Sequence, residues 1–80
     1  MTVTVLLFAS YADVFGSSEV DVAVGPGATV GEVVRQLAGL AGGAQLPPRP
    51  VVAVNQSYAT YDQRVESGDE IAVIPPVAGG

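Results

Sequence analysis

Alternating apolar and polar residues mark two strands in the first third of the chain. Residues 2–8 are dominated by β-branched side chains, and valine or leucine occupies every second position on one face. Residues 19–24 alternate valines with acidic residues, which is typical of a strand with one buried and one solvated face. Residues 9–18 contain Gly16 and two serines, and they predict a loop with a helical turn between the strands.

A helix is predicted after the glycine- and proline-rich turn at residues 25–27. Thr29 and Glu32 are three residues apart, like the two side chains of a capping box, so a helix should begin here. Gly42-Gly43 is expected to end the helix. The apolar residues between these signals recur at three- and four-residue spacing and form one stripe: Val30, Val33, Val34, Leu37, Leu40 and Ala41.

The second half of the chain predicts short strands separated by turns. Residues 51–54 form an apolar run, which is typical of a strand covered on both faces, and residues 70–74 follow a Ser-Gly-Asp turn as another strand. Residues 58–59 are interpreted as a brief further strand. The predicted element order is therefore β-β-α-β-(β)-β.

This order predicts an α+β fold in which one main helix packs on a single mixed sheet of four or five strands. The final strand pairs beside the first, and the helix buries its apolar stripe against one sheet face. Such an arrangement is the ubiquitin-like β-grasp. We expect residues 1–76 to form this domain and residues 77–80 to form an extended tail, because Pro75-Pro76 cannot donate ladder hydrogen bonds.

The composition excludes several kinds of chemistry. The 80 residues include no Cys, His or Lys, which removes thiol nucleophiles, histidine bases and most metal-ligand sets, so no metal site is predicted. A net charge of −5 argues against nucleic acid or an anionic membrane as a partner and favours basic protein surfaces. The first 12 residues lack a basic targeting segment and fall short of the ~18 residues that span a bilayer, so a cytoplasmic location is expected.

The most unusual local feature is the ending Pro75-Pro76-Val77-Ala78-Gly79-Gly80. Prolines stiffen a chain, and glycines without Cβ can enter a narrow cleft, although a frayed end of small residues is the structural alternative. A terminal glycine carboxylate is unhindered, so an ATP-using partner could convert it to an acyl adenylate that a nucleophile then attacks. Because the chain has no Cys, sulfur bound covalently here would be a thiocarboxylate at that carboxyl carbon.

Three segments carry a resemblance to a known family: residues 5–9, residues 52–56 and, most specifically, residues 67–80 with their Gly-Asp-Glu turn, apolar strand and Pro-Pro-Val-Ala-Gly-Gly end. Together they resemble the small, sulfur-carrier subunit of molybdopterin synthase. The resemblance implies that an E1-like adenylating enzyme activates the terminal glycine with ATP and that a sulfurtransferase supplies sulfur. The thiocarboxylate tail would then enter the large subunit and donate sulfur to cyclic pyranopterin monophosphate.

The resemblance also implies roles for individual residues. Gly80 would carry the thiocarboxylate, and Gly79 would give the tail its slim approach. Phe8, Tyr58 and Ile74 fall where the family makes apolar contacts with the large subunit and the activating enzyme. Phe8 and Ile74 could equally be core residues, whereas Tyr58 follows a turn and is expected to be exposed. The chain would be a non-catalytic sulfur donor, with no active site of its own and no bound cofactor.

Other functions stay open at this point. The same tail could serve sulfur transfer for thiamin, cysteine or tRNA thiolation, or Gly80 could form an isopeptide bond as a ubiquitin-like protein modifier. A β-grasp interaction module with an irrelevant tail is the third alternative. The densest acidic group is interpreted as a solvated face rather than as a catalytic pair, with docking to a basic partner as a second role: Asp62, Glu66, Asp69 and Glu70.

Overall fold

The computed structural model describes residues 1–40, 46–47 and 49–75, and these form two helices and five strands. The elements are β1 (Thr2–Leu7), α1 (Ala9–Phe15), β2 (Glu19–Ala23), α2 (Val30–Ala38), β3 (Val51–Val54), β4 (Ser57–Tyr58) and β5 (Glu70–Ile74). Within these ranges no helix is long and apolar enough to cross a membrane.

All five strands belong to one mixed sheet with the order β2-β1-β5-β3-β4. β1 pairs antiparallel with β2 and parallel with β5, so the predicted pairing of the first and last strands is confirmed. β3 pairs antiparallel with both β5 and β4. The predicted single mixed sheet and the ubiquitin-like β-grasp order are therefore confirmed, with β4 as the brief extra strand.

The core lies between α2 and one face of the sheet. The inward face of β1 and β5 consists of every second residue, as the two-residue period of a strand requires. The helix contributes the three- and four-residue stripe predicted from the sequence. Burying each valine or leucine of this kind stabilises the fold by about 1.5–3 kcal/mol. The main buried contributors are Val3, Val5, Leu7, Val30, Val33, Val34, Leu37, Ile71 and Val73.

The beginning of α2 is held from two sides. Oγ1 of Thr29 accepts a hydrogen bond from the N–H of Glu32 at 3.3 Å, which is the capping interaction predicted from the sequence. The N–H of Gly31 donates to the carbonyl oxygen of Tyr61 at 2.9 Å, so the loop before β5 is fixed against the helix. A Cβ at Gly31 would lie only 3.3 Å from that oxygen, and the close approach therefore favours glycine.

The connection between β1 and β2 differs from the prediction. Residues 9–18 were expected to form a loop with a helical turn, but the structure has the seven-residue helix α1. Tyr11 anchors this helix in the core, and Gly16 ends it in the left-handed conformation at φ 72°. No side chain caps its N-terminus, so the polar signal that marks a helix start in a sequence is missing here.

The end of α2 is also earlier than predicted. The helix ends at Ala38 with Gly39 as its C-cap, whereas Gly42-Gly43 lies outside the described residues. Glycine is the weakest helix former after proline, and Gly39, the first glycine after the buried Leu37, already stops the helix. Leu40 is consequently 42% exposed and does not continue the buried stripe.

Two leucines of the predicted stripe should differ strongly in their contribution to stability. Leu37→Ala removes a side chain that is 0% exposed and should lower the free energy of unfolding by about 2–5 kcal/mol. Leu40→Ala changes an exposed side chain and should lower it by less than about 1 kcal/mol. Urea unfolding of both variants measures the difference, and equal losses would show that the stripe extends to Leu40.

Candidate functional site: the open face of the sheet

The face of the sheet opposite α2 is not covered by any helix in the described part of the chain, because α1 and α2 both pack into the core on the other face. Residues paired across neighbouring strands share a face of the sheet. One row of such pairs crosses four strands on the open face: Leu6, Ala72, Ala53 and Tyr58. This row is continuous and uncharged, which is unusual for an uncovered sheet face.

The three residues predicted to contact a partner come together on this face. Phe8 follows the end of β1 and is 48% exposed, Tyr58 is 80% exposed, and Ile74 is partly exposed at the end of β5. All three line one shallow groove of about 430 Å³. The sequence did not decide whether Phe8 and Ile74 are core or surface residues. In the structure Phe8 is a surface residue and Ile74 is half-buried. That they bind a partner stays a prediction.

We call this surface the open-face patch and define it as Leu6, Phe8, Ala53, Tyr58, Ala72 and Ile74. Sequence analysis did not propose Leu6, Ala53 or Ala72 as part of a site. The signal was present in the alternation, since Leu6 is two residues from Phe8 and Ala72 is two residues from Ile74. Ala53 could not be assigned in the same way, because both of its neighbours in β3 are also apolar.

A two-residue turn positions the most exposed member of the patch. Asn55 and Gln56 both have positive φ, at 50° and 72°, as a type I′ hairpin turn requires. The turn leads β4 back along β3, so that Tyr58 lies opposite Ala53. The local sequence thus directs the tyrosine ring onto the open face.

Asn55 also ties this turn to the beginning of β5. Its Oδ1 accepts a hydrogen bond from the N–H of Glu70 at 3.0 Å, and its Nδ2 donates to Asp69 at 3.0 Å. The other carboxylate oxygen of Asp69 accepts from the N–H of Glu66 at 2.8 Å. These hydrogen bonds, the one from Glu66 above all, hold the pKa of Asp69 below its ordinary value. Asp69 therefore stabilises the turn before β5. It is one of the four acidic residues that were interpreted from the sequence as a solvated face.

The remaining part of the open face is acidic. Thr4 pairs with Asp21 on one side and with Glu70 on the other, and its hydroxyl donates to Asp21 at 3.1 Å. Glu19 pairs with Leu6, at the border of the open-face patch. An apolar surface and a strip of carboxylates thus lie side by side on one sheet face. No group of three ligating side chains suited to a metal ion occurs among the residues described.

The positive charges lie elsewhere. Arg35 belongs to α2. The backbone of Arg64 forms an isolated antiparallel β-bridge with Thr29, the N-cap residue of α2. The guanidinium of Arg49 lies 4.3 Å from the ring centroid of Tyr61, which itself contacts the beginning of α2. These are all the basic side chains of the sequence, so the carboxylates of the open face have no basic side chain beside them.

The final segment leaves the sheet beside the open-face patch. β5 ends at Ile74, which is itself a patch residue, and Pro75 follows it. Residues 76–80, and with them the predicted functional residues Gly79 and Gly80, lie outside the described residues.

Comparison with known proteins decides the family. The ThiS family model matches residues 5–80. The chain belongs to the ThiS family. A stretch of 32 residues is 56% identical to the molybdopterin synthase sulfur carrier subunit of Dictyostelium discoideum, and it covers 38% of this chain. The match spans only 37% of the length of that relative.

Solved structures agree with the ThiS-family fold. The chain is similar to the crystal structure of SAMP1 from Haloferax volcanii, with a TM-score of 0.86 and 32% identity over 100% of both chains. It is also similar to the Helicobacter pylori complex of subunits 1 and 2 of molybdopterin-converting factor. That likeness has a TM-score of 0.72 and 21% identity over 100% of both chains, and it shows the fold alone.

The hydrogen bonds of Asp69 make its contribution to stability depend on pH. Its folded pKa is lowered, so the stabilisation is present above the unfolded value of about 3.9 and is lost as pH falls through the folded value. Asp69→Asn should therefore cost about 1 kcal/mol at pH 7, after allowance for solvent screening, and much less at pH 2.

Urea unfolding at the two pH values measures this effect. Asp13→Asn makes the same change in charge on α1, far from Asn55, and serves as the control. An equal loss for Asp69→Asn at both pH values would contradict a role for its carboxylate charge.

Proposed function

We propose that this ThiS-family chain is the sulfur-carrier subunit of molybdopterin synthase. It donates sulfur from a Gly80 thiocarboxylate to cyclic pyranopterin monophosphate in molybdenum cofactor biosynthesis. The observation that supports this proposal best is the position of the open-face patch, directly beside the point where the final segment leaves β5. A carrier needs both a docking surface and a reactive end within reach of it, and the final residues of the chain follow Ile74, a residue of this patch.

The chemistry requires no side chain of this protein. An E1-like adenylating enzyme uses ATP to convert the Gly80 carboxylate to an acyl adenylate, with release of pyrophosphate. A persulfide of the sulfurtransferase then attacks the acyl carbon and displaces AMP, and a thiol reduces the resulting acyl disulfide, which releases the thiocarboxylate and leaves a disulfide on the donor side. Gly79 keeps the approach to the reacting carbon free of Cβ atoms. The absence of Cys and His from the sequence is consistent with this division of labour, in which the partners hold the active sites.

The open-face patch supports docking to a larger protein in a heteromer. Phe8 and Tyr58 expose aromatic surface next to Ile74, and covering such surface favours association, since aromatic side chains are enriched at the centres of interfaces. The Dictyostelium relative is named as a subunit, and a chain of the same fold occurs in the Helicobacter complex of two subunits. We therefore expect the large subunit and the activating enzyme to use this patch in turn, in the cytoplasm.

The likeness to SAMP1 favours a second candidate function. A structure of the same Haloferax protein names it a small archaeal modifier protein, and the sequence identity of 32% extends over the whole chain in the SAMP1 comparison. In a modifier, the activated Gly80 carboxyl would form an isopeptide bond with a lysine of another protein. The two functions share the adenylation step and differ in the nucleophile that follows.

Sulfur loading tests the carrier function directly. After incubation with the activating enzyme, ATP and a sulfur donor, intact mass spectrometry should show one carboxylate oxygen replaced by sulfur at Gly80. Deletion of Gly80 should abolish loading and leave the urea midpoint unchanged, because the tail follows the last strand. Covalent conjugates with other proteins, without sulfur loading, would favour the modifier function instead.

Binding of the large subunit tests the docking surface. Tyr58→Ala removes a ring that is 80% exposed and should weaken binding about tenfold or more, with little change in stability. Leu40→Ala truncates another exposed apolar side chain outside the open-face patch and should bind like the wild type. Calorimetric titration compares the two variants, and equal affinities would contradict the assignment of the patch.

A further inference from the structure

One carboxylate lies in the groove of the open-face patch. Glu70 is the first residue of β5, and it lines the groove together with Phe8 and Tyr58. Its backbone is held on both sides by Asn55, which donates its N–H to the Glu70 carbonyl oxygen at 2.8 Å and accepts from the Glu70 N–H at 3.0 Å. The charge therefore projects from a fixed strand position rather than from a loop.

The chain itself supplies no counter-ion for this carboxylate. The sequence contains no Lys, and its three arginines lie on the helix side. Among the residues that the structure describes, one salt bridge occurs, and it joins the guanidinium of Arg35 to the carboxylate of Glu32 at 3.2 Å. The nearest charged group in the same row of the sheet is Asp21, on the other side of Thr4, and it is also negative.

Docking changes the surroundings of Glu70. In the free chain the carboxylate is exposed and hydrated. A partner that covers the groove removes water from it, and a desolvated carboxylate opposes binding unless a cation replaces the lost hydration. A partner surface that is only apolar would fit the patch residues but would leave this charge unpaired.

We propose that Glu70 selects partners that place a lysine or arginine side chain against it while an apolar side chain enters the groove. This inference rests on the proposed function, because it assumes that the open-face patch is the docking surface. Asp21 and Glu19 on the same face add to the attraction of a cationic partner at long range. The partner surface is thus an apolar projection flanked by positive charge.

A pair of charge-neutralising substitutions tests the proposal. Glu70→Gln and Glu66→Gln each remove one negative charge, but Glu66 lies outside the groove. With the molybdopterin synthase large subunit of the same organism as the probe, Glu70→Gln should weaken binding about tenfold at low salt, and Glu66→Gln less than about twofold. The difference between them should become smaller at high salt.

A change in folding stability should not affect this comparison. Both hydrogen bonds between Glu70 and Asn55 use the backbone of Glu70, so the glutamine variant keeps them, and its urea midpoint should match that of the wild type. Equal affinities of the two variants would overturn the proposal. Recovery of binding by Glu70→Lys, when an interfacial arginine or lysine of the partner is changed to glutamate, would support it.

The proposed function can fail separately. Binding of the wild type without sulfur loading at Gly80 would overturn the carrier function and leave the comparison of Glu70→Gln with Glu66→Gln valid. If the large subunit does not bind the wild type, the same two variants are compared with the activating enzyme as the probe. Equal affinities there would overturn the role of Glu70.

Discussion

The parallel pairing of β1 with β5 is the interaction on which the open face depends. It joins the first and last strands at the centre of the sheet, and its register places Leu7 beside Val73. The residues that follow these two, Phe8 and Ile74, therefore meet on the open face although they are far apart in the sequence. A shift of β5 by one residue would turn Ile74 toward the core and would bring the core residues Ile71 and Val73 to the surface. The burial of the inward faces under α2 fixes the register, and the open-face patch follows from it.

The helix contributes to the site without touching it. α2 covers the inward face, and its beginning is joined through Gly31 to the loop that contains Tyr61. That loop leads to the turn before β5. The side chain of Asn55, which follows β3, forms hydrogen bonds there with the carboxylate of Asp69 and with the N–H of Glu70. The same packing that stabilises the core thus reaches the edge of the groove through one loop and the hydrogen bonds of Gly31 and Asn55.

Much of this arrangement could be predicted from the sequence, because the relevant signals are local. Alternation in the strands, the cap at Thr29 and the turn before Glu70 are each read within a few residues. α1 was predicted only as a helical turn, because no polar side chain caps the helix and its packing on the core, through Tyr11, Ala12 and Phe15, is a tertiary effect. The groove around Phe8 was predicted only as separate positions, because its walls come from four strands whose register no local pattern specifies. The family resemblance supplied what the local patterns could not.

The short edge strand has a consequence for how readily the groove can change its shape. β4 contributes only two residues, and it is bound to the sheet on one side only, through β3. Strands with so few ladder hydrogen bonds open at low cost in free energy, while the central strands remain closed. The ring of Tyr58 therefore stands on the most adaptable part of the sheet, whereas Phe8 and Ile74 stand on its most rigid part. One side of the groove can therefore adjust its shape, and the other keeps the end of β5 in a constant position.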